Sequence, residues 1–306
     1  MANLKITMFK FTKYSTIYYV FSIALTIASI FALVLFGLKF GIEFTGGSNM
    51  EVEFLNQRPS NDDISKQLAS FNLGDITVQP IGEKGVVLRF KEVDEATHIN
   101  ILSKINALSE AEEKNFQFVG PSVGNELRNK TQISMVLVLF AITLYIAIAF
   151  RKVSRPVASW KYGITSLIAL IHDVLIPIGV FAVLGRFHNV EITIPIIAAL
   201  LTVLGFSVHD TIVIFDRIRE NILKNRSDSF DDIVDQSLNQ TVGRSIGTVA
   251  TTLFVMISVF FFGGQTLKWF SLALIIGIGS GAYSSIFIAG PLLVTWQKWS
   301  ERKSKK

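Results

Sequence analysis

Two adjacent titratable residues, His209 and Asp210, lie inside an apolar run that ends only at Asp216, Arg217 and Arg219. At about 1.5 Å per helical residue, Asp210 stands ~9 Å in from that charged end. A charged aspartate at the centre of a membrane helix costs roughly 2.5 to 3.5 kcal/mol, so it must be paired, neutral or in a wet pathway. The chemistry this suits is proton or ion handling; a helix-packing hydrogen bond is the competing role. A second pair, His172 and Asp173, occupies an earlier apolar run. Asp173 there lies about 16 Å beyond Tyr162, close to a bilayer midplane. One residue apart on a helix, His172 is expected on a different face from Asp173. Pro177, four residues later, should free the Asp173 carbonyl and bend the helix.

The candidate cation for Asp210 is Arg244, at the start of another apolar run. Arg244, Thr248, Thr251, Val255 and Ser258 recur at helical spacing, and this partly polar stripe is expected to face the helix of Asp210. Snorkelling of Arg244 to lipid phosphates is the alternative.

These groups need membrane helices to position them. Of 306 residues, 50% are hydrophobic and 17% charged, against about 25% charged in soluble domains. The apolar residues fall into six runs: Ile17 to Leu38, Thr131 to Phe150, Gly163 to Leu184, Ile192 to Phe215, Ser245 to Phe262 and Leu267 to Trp296. Each approaches the roughly 20 residues that cross a hydrocarbon core, and each should be helical throughout because lipid offers the backbone no partners. The first run is too long for a signal-peptide core and no A-x-A-like site closes it, so it reads as an uncleaved span. The stretch from Asp228 to Gly243 is amphipathic and is expected to lie along the membrane surface before leading into the fifth span. Arg151 to Tyr162 is expected at the lipid surface too. In the sixth span Gly277, Gly281, Ser285 and Ala289 form a small-residue ridge for close helix packing.

Basic residues cluster at one set of span ends: Lys10, Lys13, Arg151, Lys152, Arg155, Lys161, Arg217, Arg219, Lys224, Arg226 and the basic tail 298–306. The opposite short loops hold Arg186 and Lys268. This asymmetry places both termini in the cytoplasm of a cell membrane and accounts for the net charge of +5 without nucleic acid.

One segment, 41–130, is long enough to form an extracytoplasmic domain. Its pattern predicts strands at Met50 to Leu55, Ile76 to Ile81, Val86 to Phe90 and Phe116 to Val119. Helices are predicted at Asn61 to Phe71, capped by Asn61 or Asp62, and at Asp94 to Leu108. The order β-α-β-β-α-β is that of a ferredoxin-like α+β unit, a fold that implies no chemistry by itself. At its start, Gly46 and Gly47 after Thr45 predict a tight turn or a close approach of another chain. No Gly-Lys-Ser/Thr follows them, so TGGS is a weak phosphate cradle.

Enzyme classes find little support. There is no cysteine, no nucleotide-binding loop and no Ser-His-Asp spacing that suggests hydrolysis. No cofactor is expected; energy has to come from an ion gradient or a partner.

GFSVHDTIVIFDRIREN at Gly205 to Asn221, FTGGSNMEVEF, SLNQTVGRSIGT, FFFGG at Phe260 to Gly264 and HDV in span three together resemble the SecF branch of the SecD/SecF protein-export family. The resemblance runs from the first span to the sixth. It implies half of an RND-type transporter with six transmembrane helices and a small extracytoplasmic domain. It further implies a proton- or sodium-driven accessory to preprotein export, with SecD, the SecYEG translocon, YajC, the translocating preprotein and the lipid bilayer as partners. By motif match Asp210 and Arg244 belong to the proton pathway, with Asp173 and His209 added as candidates. Gly46, Gly47, Asp216, Arg217 and Arg219 are motif or conformational positions. His209 stands where the family more often has asparagine, either tuning proton transfer or replacing a hydrogen bond. The alternative function is a half-subunit of an RND-type exporter of small molecules or lipid.

Overall fold

The computed structural model describes residues 8–74, 76–151, 157–224 and 229–304. Contacts divide the chain into two compact units. One takes the chain up to Lys39, Ser134–Val190 and everything from Pro195 onward; the other is Phe40–Ile133 with Glu191–Ile194.

Helices long and apolar enough to cross a membrane occur six times among the described residues. They are α1 (Ser15–Phe36), α5 (Pro121–Ala149), α6 (Ser159–His188), α7 (Ile194–Lys224), α8 (Phe230–Phe262) and a last span built from α9 (Gly264–Ser284) and α10 (Gly290–Ser304). Between α9 and α10 the helix widens into a π-turn, Ser285–Ala289. Pro291 lies just beyond it and has no N–H to give the preceding turn, which favours such a widening.

Packing follows side-chain size. A Cβ on Gly179 of α6 would stand 2.5 Å from the Ser29 Cβ of α1, and one on Gly163 would stand 2.9 Å from the Thr143 carbonyl of α5. Gly277 and Gly281 meet Val203 and Ser207 of α7 in the same way. The small-residue ridge therefore packs as expected, and its partner is the fourth span. Around the charged ends of the spans Tyr162 stacks on Phe150 and meets Phe215 edge-on, both rings within 5.3 Å. Pro177 sits inside α6 without interrupting it.

The Asp228 to Gly243 stretch departs from expectation. Residues 225–228 lie outside the described residues, as do 152–156 of the expected surface loop. From Phe230 the chain is already α8, one uninterrupted helix capped by Ser229, whose hydroxyl accepts from the Asp232 N–H. Val234 and Leu238 are buried in the same core as Tyr162 and Phe215, and Ile233 is buried as well. Its apolar face thus meets protein rather than lipid. Asp235, an acid of the same stretch, is buried too and accepts from the N–H and hydroxyl of Thr12.

The second unit is the α+β domain. After the short α2 (Ile42–Thr45) come β1 (Gly47–Phe54), α3 (Asn61–Leu68), β2 (Thr77–Ile81), β3 (Gly85–Phe90), α4 (Glu95–Leu108) and β4 (Ala111–Val119). The sheet order is β2-β3-β1-β4, antiparallel throughout, which is the ferredoxin-like arrangement that the pattern predicts. Met50, Val52 and Phe54 alternate inward and pack with Leu88, Ile64 and Ile101. The cap of α3 is Ser60, one residue before the expected Asn61. Glu191–Ile194, the connection between the third and fourth spans, joins this unit: Gly41 N–H donates to the Ile192 carbonyl at 2.9 Å and Arg89 pairs with Glu191 at 2.7 Å.

Candidate functional site

The glycine pair at the start of the domain is conformationally committed. Gly46 has φ 75° and ψ 163°, a combination that residues with a Cβ essentially do not adopt. A Cβ there would stand 2.8 Å from Pro121 Cα, and one on Gly47, at φ 128°, would stand 2.9 Å from the Phe90 carbonyl. The tight turn is present, and the backbone that approaches closely is that of this same chain rather than of another one.

Within the membrane spans, Asp173 is fully buried and holds the densest set of polar contacts. Ser207 Oγ of α7 and Ser284 Oγ of α9 each donate to its Oδ2 at 2.6 Å. Ser280 Oγ donates to Oδ1 at 3.1 Å, and His172 Nδ1 lies 2.9 Å from the same oxygen. His172 is therefore not on a separate face. Neighbouring helical side chains diverge at Cβ, yet a histidine ring and a short carboxylate can still turn toward each other. The three serines were not legible as ligands, because each reads as a small packing residue.

Asp210 is buried on α7, with Oδ2 lacking a hydrogen-bond partner. His209, beside it, is exposed. On α8, Ser245 and Arg244 are the groups that interact with Asp210. Asp210 and Arg244 form no ion pair within 4 Å among the described residues, so the expected contact is not closed. The reason is the phase of α8. Its inward face is Thr241, Ser245 and Val249, whereas Thr248, Thr251, Val255 and Ser258 are exposed. Arg244 is one position off that face and opens onto a cleft of about 500 Å³ shared by α5, α7 and α8.

The charged end of the motif fastens α7 to α8 at the rim of this cleft. Arg217 Nε donates to Gln240 Oε1 at 2.6 Å while its Nη1 meets Glu220 at 2.5 Å. Asn221 Nδ2 donates to Ser237 Oγ at 2.8 Å and to Gln240 at 2.9 Å. Arg219 pairs with the exposed Asp216 at 3.6 Å. No cluster of three metal-ligating side chains occurs among the described residues.

A bundle with two buried carboxylates, an α+β domain inserted after the first span and a glycine pair at its start defines a class of membrane transport protein. The family profile "Protein export membrane protein SecD/SecF, C-terminal" matches residues 99–299, and the SecD/SecF GG motif matches 31–54. The chain is 44% identical to the protein translocase subunit SecF of Thermobaculum terrenum, over 92% of this chain and 91% of that one. It is 38% identical to SecF of Vibrio alginolyticus, over 92% and 88%. A crystal structure of SecDF, a translocon-associated membrane protein from Thermus thermophilus, superposes with a TM-score of 0.84 at 28% identity. That match covers 97% of this chain and 40% of the SecDF chain. The chain belongs to the SecD/SecF family of protein-export membrane proteins, as a SecF-type protein translocase subunit.

Proposed function

We propose that the chain acts with SecD as an export accessory in the cell membrane, using the proton or sodium motive force to assist preproteins crossing SecYEG and their release outside. Both termini are then cytoplasmic and residues 41–130 extracytoplasmic, with YajC a further candidate partner. The observation that carries this reading is Asp210: a buried carboxylate oxygen without a partner, beside Ser245 and near an exposed arginine. Ion binding at Asp210 neutralises it and weakens its pull on Arg244; release restores that pull. Arg217 and Asn221 hold the adjoining ends of α7 and α8 together, so the charge change is felt as a shift between two packings of the same helices. One charge moving down 100 mV supplies about 2.3 kcal/mol, so each stroke is small or uses more than one ion. SecD is placed against the apolar faces of α5 and α8, where Phe140, Phe254 and Phe261 are exposed. No cofactor is required.

The test is export in vesicles carrying the complex, with the proton and sodium gradients collapsed separately. Asp210→Asn is expected to assemble with SecD while export loses its response to one gradient. Unchanged gradient dependence would overturn the reading.

A further inference from the structure

We propose that His172, rather than the Asp173 carboxylate it touches, carries a proton at a second charge site, which is coupled to Asp210 through α7. This rests on the ion-driven reading above and adds a carrier to it.

The argument starts from the oxygen atoms of Asp173. An ionised carboxylate has about four acceptor positions. Here each oxygen faces two donors, Oδ1 the His172 ring and Ser280, Oδ2 Ser207 and Ser284. A proton placed on either oxygen would cost one of these donated hydrogen bonds, since one of the donors has to turn and accept instead. The imidazole is the part of the site left incomplete: with Nδ1 turned to Asp173, its Nε2 is buried and has no partner. With one ring proton, on Nδ1, the pair carries a charge of −1. A proton delivered to Nε2 by hydronium forms an N–H bond, leaves water behind and brings the pair to zero. Buried single charges are costly and neutral pairs far less so, so the two states favour different surroundings.

The surroundings are arranged to register that difference. The donors to Asp173 come from two other helices, α7 and α9. Ser207 is three residues before Asp210, on the same side of α7. Ser285, adjacent to Ser284, shares a hydrogen bond of 2.9 Å with Thr211, the residue after Asp210, and donates to the Ser207 carbonyl at 3.4 Å. The π-turn of the last span begins at that same Ser285, and π-turns are frequent where helices serve a site. Among the described residues, the charged or titratable groups facing His172 are Asp173 on its own helix, Tyr283 of α9, stacked on the ring at 6.2 Å, and Tyr19 of α1. α9 brings Ser280 Oγ to 3.5 Å from Nδ1, and the π-turn and α10 present Ile288, Leu292 and Thr295. A groove of about 490 Å³ between α1, α6 and α10 borders the imidazole.

The test reads the protonation state directly. The chain has four histidines, so replacing His98, His188 and His209 by glutamine leaves one imidazole to follow. Its ring nitrogens, and the Asp173 carboxyl carbon, are recorded by isotope-edited NMR of the full chain with SecD in lipid nanodiscs. The series runs over about pH 5 to 8, the window in which imidazoles change charge; the wild type is recorded in parallel in case the triple variant misfolds. The expected result is a second proton appearing on the His172 ring as pH falls while the Asp173 carboxyl signal stays in place. An imidazole that keeps one proton throughout, or a carboxyl signal that moves instead, overturns the proposal. This readout does not depend on export, so its failure and a failure of the Asp210→Asn test are told apart.

Discussion

Gly281 of α9 lies so close to Ser207 of α7 that a Cβ on the glycine would stand 2.9 Å from the serine Cβ. The contact brings Ser207 and Ser284 to the same Asp173 oxygen. Gly281→Val should push the two helices apart, weaken both hydrogen bonds and cost about 1 to 3 kcal/mol through overpacking. Gly279 has open space where its Cβ would be, so Gly279→Val is the control. Thermal unfolding in nanodiscs should separate the two, with Gly281→Val melting lower; equal melting temperatures would show that the close approach carries no weight.

The glycines of the external domain separate two effects in the same manner. Gly82 has φ 57° and open space around it, whereas Gly46 combines φ 75° with a Pro121 contact. Gly82→Ala should cost about 1 kcal/mol, the ordinary left-handed penalty. Gly46→Ala adds steric conflict to a backbone region worth about 1 to 3 kcal/mol by itself. Limited proteolysis of the full chain should cut the Gly46→Ala domain markedly faster than the Gly82→Ala one. The reverse order would contradict the geometry.

The α+β domain was legible almost completely, because Met50, Val52 and Phe54 alternate with polar residues and two capped amphipathic helices follow. The spans were legible from hydropathy alone. What stayed hidden is helix phase. Membrane helices are apolar all round, so periodicity says little about which face is inside. For α8 the polar residues point to Arg244 and Thr248, while the packed face is Thr241, Ser245 and Val249. The Asp173 site was half visible: the aspartate stood out by its setting, and the serines that complete it did not. The return of Glu191 to Arg89 carries no sequence signal, being a contact between segments about a hundred residues apart.

Asp235 holds the start of the first span, accepting from the Thr12 N–H at 2.8 Å and from its hydroxyl at 2.9 Å. Asn239 adds a reciprocal pair with the Phe9 backbone. Asp235→Ala leaves two half-buried donors of Thr12 without an acceptor and should cost about 1 kcal/mol, with faster hydrogen exchange at Thr12. Asp235→Asn keeps one acceptor oxygen and should fall between. An Asp235→Ala chain with unchanged exchange there would show that the arm is held by other contacts.

The acid stability of α4 has a defined sign. Asp94 caps this helix, accepting from the Thr97 N–H at 2.9 Å, and hydrogen bonds from the Thr97 side chain and backbone hold its carboxyl below the usual range. A group whose folded value is depressed stabilises the fold above its unfolded value, about pH 3.9 for aspartate. That stabilisation is lost as pH falls through the lower folded value. The ratio of intrinsic to observed exchange at the Thr97 amide should therefore stay level from neutrality down to about pH 4 and drop below it. In Asp94→Asn the side-chain oxygen still accepts from Thr97 but does not titrate, so the drop should vanish while the cap remains. A drop of the same size in both chains would place the acid sensitivity elsewhere in the domain, and a drop above pH 5 in the wild type would contradict the depressed carboxyl.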